Sequence, residues 1–177
     1  MNQRASIQVS IRPAVAADRP ALVGLMAELQ EYERRMEADR APGREIAQGH
    51  FAYLEGVVER QRGAIFVAAD GAQPVGFAVC FVEAHEHGDL HVVAEQRRYG
   101  FISDLFVAAP YRAQGVGARL VAAAEAHLRA QGLTSVHISF LARNVNAEAA
   151  YRKLGYSPYM VTYAKRLKTY SKRLAER

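Results

Sequence analysis

Cysteine is nearly missing from this chain: there is one, Cys80, in 177 residues. A single cysteine cannot close an internal disulfide, so nothing in the thiol count points to an oxidising compartment. Cys80 lies in the apolar run Val79-Cys80-Phe81-Val82. Apolar surroundings raise a thiol's pKa, so it reads as a buried structural thiol and not as a nucleophile. Long hydrophobic runs are also missing. No stretch approaches the ~20 apolar residues of a membrane helix, and Met1 to Ser10 holds no apolar core of signal-peptide type. No membrane partner is expected, and the expected location is cytoplasmic. Internal repeats and low-complexity segments are absent as well.

What is present is ordinary globular material: half the residues are hydrophobic and 23% are charged. The length suggests a single domain over residues 1–177, with 167–177 as a basic C-terminal tail. A domain of this size buries roughly 70% of the surface its unfolded chain exposes, so it needs no disulfide or metal to fold. The net charge is +5, and Lys165, Arg166, Lys168, Lys172, Arg173 and Arg177 supply much of the excess. No nucleic-acid motif accompanies them, so the tail reads as solvated and nucleic acid is not an expected partner. A basic excess also suits a polyanionic ligand.

Ile7, Val9 and Ile11 alternate with polar residues, as in a short strand. Asp18 can cap a helix carrying Leu22, Leu25, Met26 and Leu29 on one face. The polar stretch from Tyr32 to Arg44 reads as a loop. A second helix then carries Phe51, Leu54, Val57 and Val58 and ends at Gly63. Ala64 to Ala69 and Val75 to Glu83 are strands joined by a hairpin at Asp70-Gly71. Ala84 to Tyr99 is a polar, histidine-rich connection. Phe101 to Val107 is a strong strand. Val116 to Ala130 is a helix with the stripe Val116, Leu120, Val121, Ala124 and Leu128. A strand with Val136, Ile138 and Phe140, a short helix from Ala147 to Leu154 and a last strand from Tyr159 to Arg166 complete the order. So many antiparallel hairpins exclude a doubly wound sheet and predict an α/β layer: a mixed sheet with helices on both faces.

The most informative stretch is the strand-to-helix turn Arg112-Ala113-Gln114-Gly115-Val116-Gly117-Ala118. Glycines there allow backbone conformations closed to other residues. The helix start adds unsatisfied N–H donors and the positive end of a dipole, which together make a phosphate cradle. No Gly-Lys-Ser/Thr closes the loop, so it is not a P-loop. No third glycine follows at the dinucleotide spacing.

Arg112-x-x-Gly115-x-Gly117 resembles the Arg/Gln-x-x-Gly-x-Gly/Ala motif of the GNAT superfamily of N-acetyltransferases, and Ile102 to Val107 resembles that family's fourth strand. Downstream, the segment from Asn144 through Ala147 and Tyr151 to Lys153-Leu154-Gly155-Tyr156 resembles the family's Asn-x-x-Ala-x-x-x-Tyr and Lys-x-Gly-Phe/Tyr patterns. The motif residues span about 101–156, and the N-terminal part matches in layout alone.

The resemblance implies a mostly antiparallel mixed sheet with splayed fourth and fifth strands, and acetyl-CoA as cosubstrate. It implies that the backbone of Leu105, Phe106 and Val107 pairs with the pantetheine arm. An N–H near Val107 would polarise the thioester carbonyl. Ala113, Gln114, Gly115, Val116, Gly117 and Ala118 would hold the pyrophosphate, with Arg112 adding a charge-assisted contact. Asn144 would touch the cofactor arm, while Asn146 reads as the cap of the following helix. Tyr151 matches the usual general acid. Asp104, a carboxylate inside an apolar strand, and Glu83, at the end of the preceding strand, are the candidates for general base or for binding a cationic acceptor. His85, His87 and His91 have spacings that occur in zinc sites, but no cysteine or carboxylate cluster accompanies them. They read as solvated, and no metal is expected.

The expected function is direct acetyl transfer to an amine, with a small-molecule primary amine as acceptor. A protein terminus or lysine is the alternative acceptor, a non-catalytic acyl-CoA sensor is the alternative of another class, and a homodimer stands open.

Overall fold

Short runs rich in valine, isoleucine, phenylalanine and alanine build one sheet. The computed structural model describes residues 8–167. Its strands are β1 (Val9–Pro13), β2 (Ala64–Asp70), β3 (Gln73–Ala84), β4 (Arg98–Val107) and β5 (Val136–Ile138), adjacent in that order. β1 to β4 pair antiparallel, and β5 joins β4 in parallel. The helices are α1 (Arg19–Arg34), α2 (Gly43–Arg60), α3 (Val116–Arg129) and α4 (Val145–Lys153).

Strand periodicity divides the core. Phe77, Val79 and Phe81 of β3 face α1 and α2, packing with Leu22, Met26, Phe51 and Leu54. Ala78 and Cys80 face the other way, onto the layer formed by Val116, Leu120, Val121 and Leu128 of α3. Because both faces are covered, β3 is a nearly continuous apolar run and not an alternating one. Cys80 is fully buried, and desolvation pushes its thiol up to about 11.

The two N-terminal helices form a close hairpin. A β-carbon on Gly43 would lie 2.2 Å from the Ala27 carbonyl oxygen, so α2 must begin with glycine to approach α1 this closely. Glu31 Oε1 accepts the Gly43 N–H at 2.7 Å, satisfying a donor at the start of α2. The stretch from Tyr32 to Arg44, expected as a loop, therefore gives its ends to α1 and α2. Asp18 precedes α1 as expected, but its carboxylate does not cap the helix. It turns back to Arg12 at 2.6 and 2.7 Å and accepts the Val15 N–H at 2.8 Å.

One expected strand is not there. Tyr159 to Arg166 lies outside the sheet, with Tyr159, Met160, Val161 and Tyr163 all more than two-thirds exposed. Strand propensity is realised only where a neighbouring strand offers a matching edge, and β5, at three residues, offers little. Of the basic tail, Lys165 and Arg166 are exposed; Lys168, Lys172, Arg173 and Arg177 lie outside the described residues. Among the described residues, no helix is long and apolar enough to cross a membrane.

Candidate active site

The sheet opens at one residue. Gly100, Phe101 and Ile102 pair with Val136, His137 and Ile138, and β4 then continues to Val107 with no partner on that side. On its other side Ile102 pairs with Cys80 and Asp104 with Val79, so Ser103 is an extra, bulged residue. A bulge bends its strand and shifts the alternation of faces. Ile102 and Leu105 thereby both reach the α3 side, while Phe101 and Phe106 reach the α1–α2 side. Past Ile102, the β5-facing edge of β4 is bare backbone, available to an extended ligand that carries amides.

The end of that edge meets the start of α3. Gly115 has φ 76° and Ala113 φ 60°, both left-handed. A β-carbon on Gly115 would meet nothing within 4 Å, so the glycine answers to its φ and not to crowding. After the Arg112 N–H, which bonds the Ala109 carbonyl at 3.3 Å, the next backbone N–H to be satisfied is that of Arg119, which bonds the Gly115 carbonyl at 3.1 Å. The N–H groups of residues 113–118 find no acceptor among the described residues. A row of free donors at the positive end of a 14-residue helix fits a pyrophosphate.

Arg112 braces this turn. Its Nε donates to the Val107 carbonyl at 2.7 Å, and its guanidinium lies over the rings of Tyr32 and Phe106, 5.1 and 5.2 Å from their centroids. Tyr111 donates to Asp70 at 2.9 Å and ties the same connection to the β2–β3 hairpin.

On the α1–α2 side of the opening Asp104, His50 and Glu33 gather, and the Glu33 charge is felt at Tyr151 of α4. Asp104 is nearly buried. Its Oδ2 accepts the Ser103 hydroxyl at 2.7 Å, and its Oδ1 faces His50 Nε2 of α2 at 3.8 Å, an ion-pair and not a hydrogen-bond distance. The Asp104 carboxylate raises the His50 pKa above its ordinary value, against desolvation and with help from Glu33. Glu33 of α1 is raised by burial, with Asp104 adding to the shift. Tyr151 of α4 is 8% exposed, and its hydroxyl has no hydrogen-bond partner among the described residues. Burial, with the Glu33 charge behind it, pushes this phenol up to about 12. Phe140 packs edge-on against its ring at 5.5 Å. A buried phenol held protonated can give a proton to one side of a reaction, and an imidazole flanked by carboxylates can take one from the other.

Tyr151 and Asp104 therefore share one electrostatic neighbourhood, linked through Glu33. Glu83 does not join them. It pairs with Tyr99, four residues along β3 from Val79, the partner of Asp104, or ~13 Å at strand spacing. Asn144, expected against the cofactor, caps α4 by accepting the Ala147 N–H at 3.1 Å; Asn146, expected as the cap, lies in the first turn of the helix. His50 and Glu33 were missed by the sequence reading. Their signal was available, because Glu33 continues the α1 stripe four residues after Leu29, and His50 stands between the buried Ala47 and Leu54 on α2. Alongside lies a groove of about 890 Å³ between α1, the start of α2 and the end of β4, reaching Tyr32, Phe106 and Arg112.

Residues 24–156 match the acetyltransferase (GNAT) family. The chain is 24% identical over 148 residues to the uncharacterized N-acetyltransferase YhfO of Bacillus subtilis, a match covering 84% of this chain and 89% of that one. A mutant of the BH1408 protein of Bacillus halodurans superposes with a TM-score of 0.77 at 20% identity, covering 90% of this chain and 99% of that one. The aminoglycoside N-acetyltransferase AAC(6')-Iy in complex with CoA superposes with a TM-score of 0.62 at 18% identity, covering 89% and 100%. With the opened sheet and the donor-rich helix start, these matches define an acyltransferase. The chain belongs to the GNAT family: it is an N-acetyltransferase, and its acetyl donor is acetyl-CoA.

Proposed function

We propose that this enzyme transfers the acetyl group directly to the primary amine of a small molecule, without an acetylated enzyme intermediate. The observation that carries the proposal is the approach of His50 to Asp104 at 3.8 Å on the stretch of β4 beyond its pairing with β5, with the Glu33 charge felt at the buried Tyr151 phenol.

The roles follow from the chemistry. An alkylammonium has a pKa of about 10.4 and must lose a proton before it can attack. Glu33 and Asp104 attract the cation, and neutral His50 takes the proton. The free amine attacks the thioester carbonyl, Tyr151 protonates the sulfur as the carbon–sulfur bond breaks, and the second proton shed by the new amide nitrogen restores the Tyr151 phenol. The backbone from Leu105 to Val107 aligns the pantetheine arm, and the N–H groups of residues 113–118 hold the pyrophosphate. Arg112 keeps that turn docked on Val107.

The proton budget is reasonable. A phenol of about 12 is a poor acid towards a thiolate of ordinary pKa, about 8.5. The same desolvation raises a thiol, as Cys80 at about 11 illustrates. A dry site therefore raises the leaving thiol together with the phenol and narrows the mismatch.

A groove of about 890 Å³ suits a small acceptor, and the similarity to a structure named as an aminoglycoside N-acetyltransferase supports the same class. The test is thiol release from acetyl-CoA against a panel of small amines, amino acids, polyamines and peptides, with mass analysis of the product. Turnover of a small amine with a single added acetyl supports the proposal. Turnover of peptides alone would shift the acceptor to protein, and binding of acetyl-CoA with no turnover on any amine would leave a sensor.

A further inference from the structure

The β3–β4 connection, residues 85–97, was expected to be an exposed loop with solvated histidines. It is largely exposed, with His87 and His91 open to solvent, and it is also folded back on itself. The His85 N–H bonds the Arg97 carbonyl at 3.0 Å, Arg97 Nε donates to the Val92 carbonyl at 2.8 Å, and the Asp89 N–H closes a turn on Glu86 at 2.9 Å. This folding brings one carboxylate between two imidazoles. His85 Nδ1 lies 3.4 Å from Asp89 Oδ2, and His91 Nδ1 lies against Asp89 Oδ1. The two imidazole rings stand at 89° with centroids 5.2 Å apart, so their nitrogens share an apex. His87, the third histidine of the run, is exposed and stands outside the group.

We propose that His85, Asp89 and His91 bind one borderline divalent transition ion, of the Zn(II) type. The sequence reading looked for a carboxylate partner and did not find one; Asp89 is that partner. One ligand atom from each residue lies within 4.8 Å of the others. Tetrahedral ligands at ~2.0–2.1 Å from a zinc ion stand ~3.3–3.4 Å apart; the His85–Asp89 pair already has that spacing, and the closer Asp89–His91 pair would open to admit the ion. Two imidazoles and one carboxylate favour zinc, cobalt or nickel over magnesium or calcium, which take more oxygen ligands. The His85 side chain is 18% exposed and that of His91 64%, so the group is anchored on one side and open on the other, leaving a coordination position for water.

Behind His85 the rings continue in a row across the strand ends: Tyr99 at 5.6 Å, then His137 stacked on Tyr99 at 4.2 Å, then the exposed Tyr159 at 4.8 Å. The ion would clamp the loop against β4 and β5 at the closed end of the sheet. The site contains none of the residues assigned to acetyl transfer, and its occupancy can be tested without turnover.

The experiment uses the full chain without a polyhistidine tag, stripped with a chelator. Zn(II) is titrated in competition with a chromophoric chelator, and Co(II) is followed by its visible absorption. We expect one equivalent of tight binding, weakened at least tenfold in both Asp89→Ala and His91→Ala and unchanged in His87→Ala. Acetyl-CoA binding, measured by calorimetry, reports that each variant is folded. The proposal is overturned if the wild type binds no tighter than Asp89→Ala and His91→Ala, or if His87→Ala loses as much affinity as His91→Ala.

Discussion

Replacing Asp104 with asparagine removes the anion facing His50 and keeps nearly the same side-chain volume. Two unit charges at the observed 3.8 Å interact by about 1 kcal/mol in water and about 4 kcal/mol at an effective dielectric of 20. The His50 side chain is 35% exposed, so solvent screening places the effect near the lower figure. That corresponds to a fall of about 0.8 units in the His50 pKa. The sign follows from its role: a base must be neutral to work, and Asp104 stabilises the charged form. Asp104→Asn should therefore move the acid limb of the kcat/KM profile to lower pH by about 0.8 units, whatever it does to the plateau. The assay is initial-rate thiol release between pH 5.5 and 9 with the best amine of the panel. An acid limb that stays in place, or moves to higher pH, would refute His50 as the base.

Other consequences can be checked separately. Gly115→Val forces a β-branched residue to a φ of 76°, so calorimetry should find acetyl-CoA bound at least tenfold more weakly. Glu83→Gln should leave kcat within about twofold in the same thiol assay, because Glu83 pairs with Tyr99 well away from Asp104. Asp18→Ala should lower the midpoint of chemical denaturation, since it removes the acceptor shared by Arg12 and the Val15 N–H. Asp18 is held below the ordinary carboxylate range chiefly by its hydrogen bond from Arg12. Its contribution is therefore complete above about pH 4 and lost as pH falls through the depressed value, and the variant should show a flatter acid-denaturation curve.

The parts of this molecule governed by local rules were readable in advance. The β2–β3 hairpin followed from Asp70-Gly71 between two apolar runs, and α3 from its stripe ending near Gly132. Tyr151 and the Arg112-to-Ala118 turn followed from two spaced motifs. What was not readable depends on long-range geometry. The bulge at Ser103 breaks the period of two on which strand reading rests, and it decides which face Asp104 takes. His50 and Glu33 lie on apolar helical stripes, and only the packing of α1 and α2 against the sheet brings them to Asp104. Two asparagines two residues apart offered the same capping chemistry, and the backbone chose Asn144. The segment from Tyr159 onward has strand composition without a strand partner, a matter of neighbours and not of propensity.

The central claim is that Tyr151 donates the proton that releases coenzyme A. The most direct measurement compares wild type with Tyr151→Phe, in kcat and in calorimetric affinity for acetyl-CoA. The account predicts a fall in kcat on the order of 100-fold or more, the usual scale for losing a general acid, with the affinity unchanged within about threefold. A phenylalanine variant that binds acetyl-CoA and turns over at the wild-type rate would contradict it.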